Sequence, residues 1–305
     1  MRLPSPFPFP QQRSRNSGGR SPFGGSSDGR SNGLKARLLI ALAIVGFAVL
    51  SYYLKPGDVN EVTGEVERVA LIDPEEEIQL GLQAAPEMVD MHGGQSRDRG
   101  GQQAVNIVGN QLLDALDRDL KQHDRHNPYR NAFRFTLLAD PQTVNAFALP
   151  GGPVFITQAL YDKFTTKGQL AGVLGHEIGH VLSRHANKQM ARQGMFQGIA
   201  GAVGVLGGDV NSAQMGQMVS SVLSTSYGRD AELESDKWGV RLMAMAGYDP
   251  RAMIDVMQIL DEASGGAGGP PEFLSTHPKP ANRVEYIKRV IAEEFPNGVP
   301  DGLEK

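Results

Sequence analysis

The sequence predicts an α+β fold, mainly helical with a small β-sheet, preceded by one membrane-crossing helix. Three observations point there. Apolar residues recur at helical spacing through much of the chain beyond residue 73. Short β-prone runs between about 133 and 157 flank Pro150-Gly151-Gly152-Pro153, a hairpin signal. The order is thus helices, a few strands, then helices. Near the N-terminus a separate run, Leu38 to Leu54, carries no charge over 17 residues, the short end of what spans a bilayer as a helix.

Residues 1–33 are rich in Pro, Gly, Ser and Arg and read as a disordered tail, since they bury too little apolar surface to offset the entropy of ordering. The span, 34–55, follows. Lys35 and Arg37 flank one end, Lys55 the other, and Tyr52-Tyr53 sit where an interfacial aromatic belt would lie. A cleavable signal peptide is the rival reading. The long leader and the lack of a small-x-small site argue against it. Arg2, Arg13, Arg15, Arg20, Arg30, Lys35 and Arg37 precede the span. The positive-inside rule therefore keeps the tail in the cytoplasm and exports the rest. In a bacterium that makes a single-pass inner-membrane protein with a periplasmic domain.

Residues 56–72 read as a linker and 73–295 as one domain. Asp73-Pro74-Glu75-Glu76 marks a helix start. Residues 91–101 read as a loop, and 102–121 as a helix with Val105, Val108, Leu112, Leu113, Leu116 and Leu120 on one face. Strands are expected at Phe133–Leu138, Thr143–Leu149 and Val154–Thr157, the last two joined by the Gly-Gly turn. A helix is expected from Lys167 to about Lys188. The uncharged, Gly-rich stretch 193–208 reads as a mobile or packed insert. Helices follow at about 227–246, 250–263 and 280–294, with a glycine loop, Gly265 to Gly269, between the last two. Residues 296–305 read as a C-terminal tail.

Composition excludes several classes. The chain carries 30 Lys and Arg against 34 Asp and Glu, a formal charge of −4. Residues 1–56 hold eight of those bases and one acid, leaving 22 bases against 33 acids in the remainder. An acidic main domain is a poor nucleic-acid binder. With no cysteine, disulfides, thiolate metal sites, Cys nucleophiles and a Cys-linked lipid are excluded. Any metal must be held by His, Asp or Glu.

The chemistry-bearing motif is His176-Glu177-Ile178-Gly179-His180. Positions four apart on a helix differ by about 40° in azimuth, so both imidazoles project from one face and can share one Zn2+. Glu177 then lies beside the metal, able to take a proton from a water that the metal activates. Catalytic zinc sites have three protein ligands. A third His in the pattern H-E-x-x-H-x-x-G-x-x-H is not met, because Ser183 and Ala186 occupy the Gly and His positions. His185 falls about 180° from His176 on a continuing helix and reads as structural. The other option is a carboxylate from a later helix, as in thermolysin-type proteases. In Asp230-Ala231-Glu232-Leu233-Glu234-Ser235-Asp236, Glu232 and Asp236 share a face. Glu232 can ligate zinc while Asp236 accepts a hydrogen bond from a ligating His. Glu234 should point elsewhere. Without the upstream motif, this run would read as a solvent-facing acidic stretch.

These residues resemble the membrane-associated zinc metallopeptidases grouped with the HtpX heat-shock protease, the BepA outer-membrane assembly protease and the CAAX prenyl protease. Four pieces match in order: Asn145 to Gly152, Gly175 to His180 with Arg184-His185, Glu232 to Asp236, and Thr276-His277-Pro278 with Arg283. Ser235 stands where the family usually has Ala. The resemblance covers roughly 73–292. It implies a zincin-like metallopeptidase domain with its small sheet beside the zinc helix. His176, His180 and Glu232 are implied as ligands of one zinc per chain, Glu177 as base and Asp236 as a supporting acid. It also implies that His277 and Arg283 reach the cleft, where they stabilise an oxyanion or, for His277, cap the zinc and hold the enzyme latent. One span cannot build the chamber of the multi-helix prenyl proteases, so a single-anchor subtype is expected.

The expected function is a membrane-anchored zinc metalloendopeptidase acting on polypeptides, clearing misfolded or misassembled envelope proteins. A latent or chaperone-like zinc-binding assembly factor with little proteolysis is the alternative. Strand 143–149, if an exposed edge, could pair with an extended substrate backbone. Substrate identity and oligomeric state are not legible.

Overall fold

Asp73 opens the first long helix by a reciprocal cap. Its side chain accepts from Glu76 N–H at 2.9 Å, and its own N–H donates to Glu76 Oε2 at 3.1 Å. This is α1, Pro74–Met91, with proline at its start. A computed structural model describes residues 58–67, 72–192, 226–264, 271–278 and 282–305. The expected tail 1–33, the span Leu38–Leu54, the insert 193–208 and the Gly265–Gly269 loop lie outside the described residues. Among the described residues no helix is long and apolar enough to cross a membrane.

Helix α2, Arg99–Gln122, buries the predicted apolar stripe, with Val105, Val108, Leu112, Leu113, Leu116 and Leu120 at most 1% exposed. Two short helices not expected from the sequence are α3, Gln158–Tyr161, and α7, Glu272–Thr276. The central helix α4, Lys167–Leu182, starts at a second reciprocal cap, Thr166 with Gln169. Every residue of it from Gly168 onward is buried, as an element enclosed on all sides requires. Helices α5, Arg229–Ala246, α6, Ala252–Ser264, and α8, Arg283–Glu294, follow. Helix α5 stops at Gly247, whose φ of 84° supplies the left-handed cap.

The sheet has strands β3, Arg134–Leu138, β4, Ala146–Ala148, and β5, Pro153–Thr157, in the order β3-β5-β4. Strands β3 and β5 are parallel; β4 and β5 are antiparallel across the Gly151-Gly152 turn, where φ is 73° and 141°. Strand β4 begins three residues later than the expected Thr143. The reason is local: Asp140 Oδ1 accepts from the N–H groups of Gln142 and Thr143, both at 2.9 Å, and folds the chain into a turn.

Three further expectations are corrected. The helix from Lys167 does not run through Lys188. It ends at Leu182, Arg184 takes a φ of 54°, and helical structure resumes at His185. Arg184 is held there by Glu77 Oε2 at 2.9 Å, which also accepts from Tyr129 Oη at 2.6 Å. Within the expected linker, β1, Asp58–Val59, and β2, Val66–Glu67, form an antiparallel hairpin. Its Asn60 Nδ2 donates to the Leu182 carbonyl at 2.9 Å, capping the C-terminus of α4. The C-terminal tail is also engaged: Asp249 N–H donates to Glu304 O at 2.8 Å and Lys167 Nζ meets Glu304 Oε1 at 2.6 Å.

Helices α4 and α5 pack with almost no space between backbones. A Cβ on Gly179 would lie 3.0 Å from Ser235 Cα and 2.9 Å from Trp238 Cβ. That close crossing brings the acidic face of α5 against the histidine face of α4. This mainly helical body with a small mixed sheet is the α+β arrangement expected.

Candidate metal centre

The helical spacing of His176 and His180 sets their Nε2 atoms 3.0 Å apart on one face of α4. Across the α4–α5 crossing, Glu232 Oε2 lies 3.6 Å from His176 Nε2, and Glu232 Oε1 lies 3.4 Å from His180 Nε2. From beyond α7, His277 Nδ1 lies 3.0 Å from Glu232 Oε1 and 3.4 Å from His176 Nε2. The ligand atoms of His176, His180, Glu232 and His277 all fall within 4.8 Å of one another.

Four acceptor-capable atoms at one point suit a cation. Asp236 Oδ1 accepts from His176 Nδ1 at 3.0 Å, which leaves His176 Nε2 a lone pair facing the cluster. Glu232 Oε2 is buried without a hydrogen-bond partner. Arg283 Nη1 approaches it to 2.9 Å, but the angle is poor and that nitrogen too has no hydrogen-bond partner. A nitrogen and oxygen donor set of this kind fits zinc.

The electrostatics follow from enclosure. Burial raises the Glu177 carboxyl above its ordinary range, only partly offset by the nearby His277 charge. Burial also holds the His180 imidazole well below its usual value. For Glu232 burial acts upward, yet the His277 charge and the His277 bond to Oε1 outweigh it and hold the carboxyl low. For His277 the balance reverses: burial acts downward, and the Glu232 and Glu177 carboxylates win and raise it. Asp236 is held low because Arg283 outweighs burial, with Nε and Nη2 donating to its two oxygens at 2.7 and 2.8 Å.

All seven residues singled out from the sequence lie in this cluster. His176, Glu177 and His180 stand on α4, Glu232 and Asp236 on α5, His277 just past α7, and Arg283 at the start of α8. Glu177 Oε1 is buried without a hydrogen-bond partner and lies 3.5 Å from His277 Nε2. Sequence reasoning missed Tyr227, whose ring stacks on His180 at 4.2 Å, and Phe273, which stacks on His277 at 4.4 Å. It also misplaced His185. Because the helix breaks at Ser183-Arg184, His185 does not sit opposite the metal face, and its Nδ1 lies 2.9 Å from His180 Nδ1. Glu234 Oε2 in turn meets His185 Nε2 at 3.1 Å.

The profile of peptidase family M48 matches residues 109–291, more than half of the chain. The chain belongs to peptidase family M48. Peptidases of this family are metalloproteases that use zinc, and the His176, His180, Glu232 and His277 cluster is a set that could hold such an ion. Among similar M48 relatives, the beta-barrel assembly-enhancing protease of Yersinia pestis is 34% identical over 192 residues, covering 60% of this chain and 37% of that protein. The protein of the same name in Escherichia coli strain K12 is 31% identical over 183 residues, 57% of this chain and 37% of that one. The mitochondrial metalloendopeptidase OMA1 of Bos taurus is 34% identical over 167 residues, 51% of this chain and 32% of that one. The chain thus spans well under half the length of these relatives.

Proposed function

We propose that this M48 chain is a membrane-anchored zinc metalloendopeptidase that hydrolyses peptide bonds of misfolded or misassembled envelope proteins. The observation that carries the chemistry is the convergence of His176 Nε2, His180 Nε2 and Glu232 beside Glu177 Oε1, a buried acceptor with no hydrogen-bond partner. In this reading His176, His180 and Glu232 hold one zinc. Zinc, when bound, supplies a Lewis acid that polarises the scissile carbonyl and lowers the pKa of water to about 7. Glu177 takes the proton of the attacking water at its carboxylate and returns it to the departing amide nitrogen. Asp236 keeps the His176 proton on Nδ1, and Arg283 holds Asp236 in place. Among the described residues strand β4 is an edge of its sheet, but all three of its residues are buried, so an extended polypeptide would pair there only once that edge is uncovered.

The anchor is the uncharged run Leu38 to Leu54, with the N-terminus in the cytoplasm and the peptidase domain in the periplasm. The envelope assignment draws on the names of the bacterial relatives, beta-barrel assembly-enhancing proteases.

A second reading rests on His277. It shares the four-residue cluster, and no member of that cluster is more than 3% exposed. His277 as a fourth ligand on the metal would hold the enzyme latent, or leave a zinc-binding assembly factor with little proteolysis. Casein cleavage by the full chain in detergent, wild type against Glu177→Gln, with zinc measured in both, separates these. Cleavage by wild type, a loss of about 100-fold or more in Glu177→Gln, and similar zinc in each are expected. Zinc in both without cleavage favours latency, and His277→Ala should then release activity. A folded protein that takes up no zinc would overturn both readings.

A further inference from the structure

Behind His180 lies a chain of side chains that the proposed reaction does not use. His180 Nδ1 faces His185 Nδ1 at 2.9 Å, and the two rings meet nearly edge-on, 4.9 Å between centroids and 72° between planes. His185 Nε2 then faces Glu234 Oε2 at 3.1 Å. Ser235 Oγ also reaches His185 Nδ1, at 3.3 Å. His185 is 4% exposed and the Glu234 side chain 26%, so the chain runs from the enclosed centre toward the surface of α5.

The donor and acceptor inventory gives this chain a direction. A carboxylate only accepts, so His185 must carry its proton on Nε2 and present a lone pair at Nδ1. That lone pair can accept only if His180 carries its proton on Nδ1. His180 Nε2 is then a lone pair, and it is the nitrogen that faces His176 Nε2 and Glu232 Oε1. The hydroxyl of Ser235, at the longer distance of 3.3 Å, competes for that single lone pair as the weaker donor. His176 reaches the same tautomer by a direct bond to Asp236. The two histidines of the motif are thus oriented by two carboxylates of α5, one directly and one through an intervening imidazole.

We propose that His185 and Glu234 are positioning residues that fix the tautomer and aim of His180 toward the zinc. The inference rests on His180 being a zinc ligand. It arises from the helix break: on a continuous helix His185 would lie on the far side, and the left-handed Arg184 turns it back.

The test is zinc affinity, by competition of the purified full chain with a chelator, together with the visible spectrum of the Co2+-substituted protein. His185→Ala and Glu234→Ala should weaken zinc about 10- to 100-fold and shift the cobalt bands, while the metal-free melting temperature of Glu234→Ala stays at the wild-type value. Glu234→Gln, whose amide oxygen still accepts from His185 Nε2, should recover most of the affinity. Affinity and cobalt spectrum within twofold of wild type in both alanine variants would overturn the proposal. So would a loss that merely follows a fall in metal-free stability and is not rescued by Gln. His180→Ala serves as control: wild-type zinc affinity there would overturn the ligand assignment itself, and this inference with it.

Discussion

Arg283 is fully enclosed, and its guanidinium meets carboxylates on two sides. Nε and Nη2 take both oxygens of Asp236, and Nη1 lies 2.9 Å from Glu232. The opposing charges hold its pKa above even the ordinary arginine range, although burial acts the other way. Such a fork supports an orienting role behind His176 rather than direct contact with a developing oxyanion. Removing one partner of a buried pair leaves the other uncompensated, at a cost of about 3–5 kcal/mol. Arg283→Ala should therefore lower unfolding stability by about that amount and reduce zinc retention, read by denaturant melts and metal analysis. Arg283→Lys should recover little, since one ammonium cannot reproduce two parallel bonds. Unchanged stability with a fall in turnover alone would place Arg283 against the substrate instead. Ser235 is a smaller instance of the same logic: its buried hydroxyl reaches His185.

The α4–α5 crossing is the element on which the site depends, and Gly179 sets its distance. A methyl there would press on Trp238 Cβ at 2.9 Å and Ser235 Cα at 3.0 Å; α5 cannot yield without moving Glu232, nor α4 without moving His176 and His180. Overpacking of this kind costs about 1–3 kcal/mol. Gly179→Ala should lower the melting temperature and weaken zinc together; a normal zinc affinity would show that α5 can slide without opening the site. The sequence made the α4 motif legible because two histidines and a glutamate at fixed helical offsets leave little choice of face. Glu232 and Asp236, four apart, share a face of α5, but their acidic run pointed to a ligand only in company with the upstream motif. The break at Ser183-Arg184 was not. No Pro or Gly marks it, and its cause lies across the fold, in Glu77, 107 residues away in sequence. Helix α7, with five residues, is too short to show a period, so the route by which His277 reaches the centre had no local signal. The hairpin of β1 and β2, each two residues long, escaped notice for that reason as well.

At the scale of the whole molecule, the metal cluster ties together parts of the chain that local structure does not join. His176 and His277 are 101 residues apart, and their contacts join α4 and α5 to the segment between α7 and α8. The centre holds three nearly fully buried carboxylates, Glu177, Glu232 and Asp236, against one permanent cation, Arg283. Burying carboxylates beyond what Arg283 balances is unfavourable unless a further cation, a bound metal or a protonated His277, accompanies them. Zinc bound only by the folded state should therefore stabilise the domain, by about 2.7 kcal/mol at a free concentration 100 times its dissociation constant. Chelation should lower the melting temperature by several degrees and make the melt depend on zinc concentration. The loss should be uneven. Helix α2 and the sheet make their apolar contacts without the cluster, with Leu112, Leu116, Leu137 and Ile156 among the core residues. Hydrogen exchange on chelation should accelerate first in α5, α7 and α8, and last in α2 and β5. Uniform acceleration would mean that the zinc and the apolar core unfold as one cooperative unit. No acceleration would mean that Arg283 and the histidines suffice to balance the carboxylates on their own.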